Sequence, residues 1–122
     1  MANRTASIVR QTGETLVSIE VDLDGSGRYQ VSSTIPMLDH MLEQLARHGQ
    51  MDITITASGD TERDAHHLVE DIALNLGRAI DQALGERRGI TRFGQAIVPL
   101  DEALALVALD LSGRGYASVE VE

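Results

Sequence analysis

Across residues 14–23 apolar and polar side chains alternate, with Val17, Ile19, Val21 and Leu23 on one side and Ser18, Glu20 and Asp22 on the other. A period of two with one apolar side predicts a half-buried strand. A short strand over 4–10 precedes it across a turn at 11–13, and the Asp-Gly-Ser-Gly turn at 24–27 leads to a third strand at 28–32. The opening therefore reads as a β-meander. Ser33 or Thr34 can cap a helix entering at Pro36, with Leu38, Leu42 and Leu45 as its buried stripe and Gly49 as its stop. Alternation returns in Met51, Ile53, Ile55 and Ala57, a fourth strand, followed by a polar loop at 58–63. A second helix is predicted over 64–84, with Leu68, Ile72, Leu76, Ile80 and Ala83 inward and Gly85 as its end. Two further strands follow at 92–98 and 102–110. The latter is apolar almost throughout, which predicts burial on both faces. A turn at 112–115 leads to a last strand running to Glu122.

Residues 14–27 (ETLVSIEVDLDGSG) resemble residues 102–115 (EALALVALDLSGRG): the offset is 88 (102 − 14), and six of the fourteen positions are identical. Each copy runs from a glutamate through a strand into a glycine turn. Coincidence between two strand-turn units is the plain reading, and duplication the sharper one. On the second, residues 1–88 form one complete repeat and residues 89–122 the opening strands of another.

Composition narrows the chemistry. Hydrophobic residues make up 43% of the 122 residues and aromatics 2%, so the core is aliphatic. There is no cysteine, which removes disulfides and thiolate metal sites and accords with a cytoplasmic protein. No secretory leader or membrane-length apolar run is visible. A net charge of −9 disfavours nucleic acid and anionic membranes as partners. All ten basic residues are arginine, so Schiff-base and Walker-type lysine chemistry is excluded, and an anionic ligand would need arginines gathered locally.

The densest chemistry lies in DAHHLVED at 64–71. On a helix His66 and Glu70 are i,i+4 and His67 and Glu70 i,i+3, so each imidazole shares a face with one carboxylate. Adjacent residues project about 100° apart, which suits two different ions better than one shared ion. Imidazole plus carboxylate without thiolate suits Mn, Fe, Co, Ni or Zn. The competing reading is a solvated first helical turn with acids placed for the helix dipole. His40 lies with Glu43, Gln44 and Arg47, away from the leucine stripe, where an ordinary exposed histidine is the simpler reading; Asp39 could orient a nearby imidazole. His48, beside Gly49, reads as a helix C-terminal histidine. Glu14 and Glu102 each open a strand after a turn, the place for a general acid or base or for a plain surface glutamate. Arg92, and Arg114 within SGRG, can hold a phosphate or simply be solvated.

Taken in order, RQTGET (10–15), DLDGSG (22–27), LDHML (38–42), ASGD (57–60), DAHHLVED (64–71), ALG (83–85), GITRFG (89–94), VPLDEALA (98–105) and DLSGR (110–114) span nearly the whole chain, and together they resemble imidazoleglycerol-phosphate dehydratase. The resemblance implies an α+β fold built from a duplicated β-β-β-α-β-α unit (ribosomal protein S5 domain 2-like), its sheet packed against helices. It implies two Mn²⁺ ions per complete active site, a homo-oligomer of 24 subunits with active sites between them, and dehydration of imidazole glycerol phosphate to imidazole acetol phosphate in histidine biosynthesis. By motif it makes His40, His66, His67 and Glu70 metal ligands, Glu14 a catalytic acid/base, and Arg92 and Arg114 phosphate-holding residues.

The chain departs from the family in three small ways, Met37, Leu16 and Leu100 standing where Phe or Tyr, Lys and Met are usual. It departs in one large way: a second His-His-x-x-Glu helix, a histidine before it and a C-terminal phosphate-contacting segment are not in this sequence. The second repeat is therefore expected to be incomplete. The chain is then a shortened dehydratase, a half that self-associates to complete its site, or a catalytically incomplete metal-binding or assembly fragment.

Overall fold

The alternating strand decides the first of two units. In the computed structural model, which describes residues 3–122, the chain divides into Met1–Gly85 and Glu86–Glu122. In the first, strand β1 (Thr5–Gln11) pairs antiparallel with β2 (Thr15–Asp22), and β2 with β4 (Asp52–Gly59), while β3 (Tyr29–Ser32) lies parallel to β4 at the far edge. The sheet order is β1-β2-β4-β3. Val17, Ile19 and Val21 stand opposite Ala57, Ile55 and Ile53, and all six are buried. Helix α2 (His66–Leu84) brings Leu68, Ile72, Leu76, Ala79 and Ala83 into the same core, and α1 (Pro36–Gly49) brings Leu42 and Ala46. The order β-β-β-α-β-α, with helices on one face of a sheet, is the expected α+β unit.

The opening is not a meander. Ser26 and Arg28 N–H groups both donate to Asp52 Oδ1 at 2.9 Å, and Ile53 N–H donates to the Arg28 carbonyl at 3.0 Å. These bonds carry the chain across the start of β4 and deliver β3 to its far side. Gly25 permits the crossing, because a Cβ there would lie 2.5 Å from the Asp52 backbone nitrogen. Parallel strands need a crossover, which α1 provides.

Helix boundaries also differ in detail. Neither Ser33 nor Thr34 caps α1 through its side chain, and Ile35 stands at the N-cap. Instead Asp39, in the first turn, reaches back: its Oδ1 accepts from the Ser33 N–H at 2.9 Å and from the Ser33 hydroxyl at 2.5 Å. Asp39 is thus committed to a buried serine rather than to orienting an imidazole. Gly49 is the last helical residue, and the left-handed residue that ends α1 is Gln50 (φ 55°). Leu45 faces outward, its inward place taken by Ala46, so the stripe is Leu38–Leu42–Ala46 on α-helical spacing. Helix α2 begins two residues later than expected, because Asp64 Oδ1 accepts the His66 N–H at 2.9 Å and leaves Asp64 outside. Gly85 ends it as expected.

The second unit is the antiparallel hairpin β5 (Phe93–Leu100) and β6 (Ala103–Asp110). Its register repeats that of β1 and β2 at the same offset of 88. Thr5↔Asp22 becomes Phe93↔Asp110, Ile8↔Ile19 becomes Ala96↔Val107, and Gln11↔Leu16 becomes Pro99↔Leu104. Even the closing bond recurs, Leu23 N–H to Arg4 carbonyl and Leu111 N–H to Arg92 carbonyl. The expected burial of β6 is not found, since every residue of β5 and β6 is exposed. A two-stranded ribbon has no second layer, whereas Val17, Ile19 and Val21 lie beneath helices. Nor do residues 116–122 form a strand. Their counterparts at offset 88 include β3, whose partner is β4, and no such partner is present among the described residues.

Two outcomes follow from this packing. Leu68→Ala, at a site with no exposure, should lower the unfolding free energy of the first unit by about 2–5 kcal/mol, read from urea denaturation. The Arg28 and Ser26 N–H bonds hold the Asp52 carboxyl below the usual carboxylate range. A depressed folded pKa gives stabilisation present above the unfolded value and lost as pH falls through the folded one. Asp52→Asn should therefore shift the urea midpoint at pH 7 and shift it progressively less once the pH drops below about 4; an equal shift at both pH values would contradict the assignment.

Candidate metal and acid–base site

The register Thr15↔Gly59 puts the turn between β1 and β2 beside the loop leading into α2. The Asp60 N–H donates to the Glu14 carbonyl at 3.1 Å, tying the two together. Gly59 makes the approach close: a Cβ there would lie 3.0 Å from the Glu14 carbonyl oxygen. Past this loop the Asp64–His66 bond sets the first turn of α2, so His66 and His67 emerge side by side, ring centroids 5.5 Å apart and nearly perpendicular.

Each imidazole meets a different carboxylate. His66 Nε2 lies 3.3 Å from Glu70 Oε2, the expected i,i+4 pair. His67 Nδ1 lies 3.2 Å from Glu14 Oε2 and not on Glu70. The four side chains are 54–71% exposed. Pairs so exposed add little to folding, so stability does not explain the arrangement.

The donor set fits a divalent cation in part. Metal–nitrogen and metal–oxygen bonds of about 2.1 Å at tetrahedral to octahedral angles place neighbouring donors about 3.0–3.4 Å apart, and the His66–Glu70 pair has that spacing at 3.3 Å. With Nδ1 turned to Glu14, the other ring nitrogen of His67 remains for a ligand, as in carboxylate–histidine–metal arrangements. Among the described residues no three His, Asp or Glu side chains form one cluster. His40 is exposed on α1 and joins neither pair. His48 bonds Gln44 at 3.0 Å near the helix end.

The arginines are described within the second unit. Arg92 forks onto Asp110, Nε to Oδ1 at 2.6 Å and Nη2 to Oδ2 at 3.1 Å, and its guanidinium lies 5.0 Å from the Phe93 ring centroid. The Asp110 carboxyl is held low, chiefly by those bonds and further by the charges of Arg92 and Arg114. Arg114 sits in a turn where its N–H bonds the Ser112 hydroxyl. An open hollow at the other end of the first unit's sheet, lined by Glu20, Asp22 and Asp52 among others, contains none of these residues.

Glu14 and His67 are 53 residues apart (67 − 14), and no local pattern announces their meeting. Only the β2–β4 register brings them together.

A family profile described as imidazoleglycerol-phosphate dehydratase matches residues 33–122. Imidazoleglycerol-phosphate dehydratases of Dehalococcoides mccartyi and Moorella thermoacetica are 57% and 55% identical over 121 and 120 residues, 99% and 98% of this chain but 60% and 61% of theirs. The crystal structure of the Pyrococcus furiosus enzyme superposes with a TM-score of 0.80 at 40% identity, covering 94% of this chain and 60% of that one. The Staphylococcus aureus enzyme gives 0.78 at 28% identity, over 97% and 66%. The chain thus spans about 60% of the length of the curated relatives it matches.

Gly59→Ala tests how tightly the turn is set. The added methyl should cost about 1–3 kcal/mol and speed hydrogen exchange at the Asp60 amide. Unchanged exchange there would mean that the close approach does not govern Glu14.

Proposed function

This chain belongs to the imidazoleglycerol-phosphate dehydratase family, and from that premise we propose that it supplies one metal-binding and acid–base half of a hydro-lyase converting imidazole glycerol phosphate to imidazole acetol phosphate in histidine biosynthesis. The observation that carries the reading is the 3.2 Å approach of Glu14 to His67 beside the His66–Glu70 pair. It sets a carboxylate able to move protons against two imidazoles able to hold cations.

In this reading His66, His67 and Glu70 hold Mn²⁺, with His40 contributing as a ligand in the complete assembly. The metal supplies polarisation of the substrate's imidazole, easing loss of a carbon-bound proton that is not acidic by itself. Glu14 takes that proton from the second carbon out from the ring, whose own hydroxyl is retained. The carbon attached to the ring loses its hydroxyl, which leaves with a proton as water, and the resulting enol becomes the ketone. Arg92 and Arg114 hold the phosphate, Asp110 fixing the Arg92 fork.

A complete site takes two Mn²⁺ ions in this reading, and the different directions in which adjacent His66 and His67 leave the helix suit one ion each. Self-association into a homo-oligomer is supported by the apolar residues exposed on both faces of the hairpin, Ile97, Val98, Leu106 and Val107 among them. No described helix is long and apolar enough to cross a membrane, and a cytoplasmic location suits the absence of cysteine. One observation favours a second reading, a metal-binding or assembly fragment without turnover: the described residues supply two donors to each pair and no third.

Manganese added to the dialysed chain decides between these. At 100 times its Kd the ion should stabilise the fold by about 2.7 kcal/mol, a melting-temperature rise on the order of 10–20 °C at about 4–8 °C per kcal/mol. His67→Ala should lose most of that rise. Turnover is expected only where the chain's assembly completes the ligand set, and its absence beside an intact manganese effect selects the fragment reading. If manganese moves neither the melting temperature nor the oligomer size, the metal assignment fails.

A further inference from the structure

Glu14 sits in the turn at 12–14 between β1 and β2, and its side chain is 62% exposed. An exposed glutamate on a turn has little of its own to keep it against one imidazole. The turn, however, is anchored from beneath. The Thr12 hydroxyl accepts from the Glu14 N–H at 3.2 Å and from the Thr15 N–H at 3.0 Å. It lies 3.0 Å from the Thr15 hydroxyl, which itself donates to Asp71 Oδ2 at 2.5 Å. A hydroxyl has one proton and two lone pairs. With Thr15 giving its proton to Asp71, the bond between the hydroxyls runs from Thr12 to Thr15, and every capacity of Thr12 is used.

The far end of this relay lies on the same helix face as the histidine. Asp71 is four residues after His67, so the two are stacked one turn apart. Glu14 and Thr15 are consecutive, and they meet His67 and Asp71 respectively. The contacts form two rungs between the turn and one face of α2. The lower rung is sheltered: Thr15 is buried, and buried Asn75 holds the next turn by donating to the Asp71 carbonyl at 2.7 Å. The upper rung is open to water. The sheltered bond therefore sets the register and the exposed pair follows it.

We propose that Thr15 and Asp71 are positioning residues, whose half-buried hydroxyl–carboxylate bond holds Glu14 beside His67 as the acid–base group of the site. The role in acid–base chemistry rests on the function proposed above; the positioning itself does not.

The test uses the full chain without metal, so that the two can fail separately. Nuclear Overhauser contacts between the Glu14 side chain and the His67 ring report the upper rung. They should be present in the unmodified chain, kept in Thr15→Ser, and lost or reduced severalfold in the near-isosteric Thr15→Val, while the Ile19–Ile55 core contacts persist. Asp71→Ala removes the acceptor from its helix side and should give the same loss, which keeps the test available if Thr15→Val does not fold. A folded variant of either kind that retains the Glu14–His67 contact at full strength overturns the proposal, as does absence of the contact in the unmodified chain. In an active assembly Thr15→Val should lower kcat on the order of 10²-fold with KM little changed, and Thr15→Ser should restore it. A chain that ignores manganese but loses the contact in Thr15→Val sinks the metal reading and leaves the positioning role standing.

Discussion

The pairing of β2 with β4 is the constraint on which the first unit depends. Side chains alternate along a strand, so a slip of one residue would turn the whole apolar set toward water. Burial of Val17, Ile19 and Val21 against Ala57, Ile55 and Ile53 excludes that slip. The same register fixes Thr15 opposite Gly59, and only residues 60–65 separate Gly59 from the start of α2. A purely apolar preference thus fixes where a glutamate and a histidine far apart in sequence come together. That pairing brings the turn and the start of the helix within reach, and the Thr15–Asp71 bond then sets which of their side chains meet.

The two hairpins show how far such a preference reaches without a second layer. Their strands pair residue for residue at an offset of 88, and each opens with an arginine near a hairpin-end aspartate, Arg4 with Asp24 and Arg92 with Asp110. Yet Val17, Ile19 and Val21 are buried, and their counterparts Ala105, Val107 and Leu109 are exposed. Backbone pairing is a property of the hairpin, whereas burial is a property of what lies upon it. The apolar run of residues 103–109 correctly marks a strand suited to an interior, and it says nothing about whether the chain in hand supplies one.

What was legible in the sequence follows the same division. Period-two and period-3.6 patterns mark both helices, most of the core and every strand but the expected one after residue 115, because those patterns record burial directly. The Gly85 stop was legible from local chemistry; the left-handed Gln50 was not, since glycine next door was the stronger signal. The side on which β3 pairs was hidden, because it depends on Asp52 capturing the N–H groups of Ser26 and Arg28 from 26 and 24 residues away. At the site, the His66–Glu70 pair was readable from helical spacing. The Glu14–His67 pair was not, for it exists only through the sheet. Glu14 was singled out by its place after a turn and by family motif, and the structure adds the partner that neither could name.

Charge gives this arrangement its direction. The chain carries a net −9, a field that gathers cations and opposes anions. Imidazoles set beside Glu70 and Glu14 work with that field rather than against it. A phosphate would have to be held against it, which is possible only where guanidinium groups are locally concentrated. Arg92 is forked onto Asp110 through two bonds, and Arg114 adds its charge at the same end of the hairpin. Asp110 partly cancels what it orients, since it takes Nε and Nη2 of the fork, so what Arg92 could still offer an anion is the directional N–H bonds left outside that fork rather than its net charge.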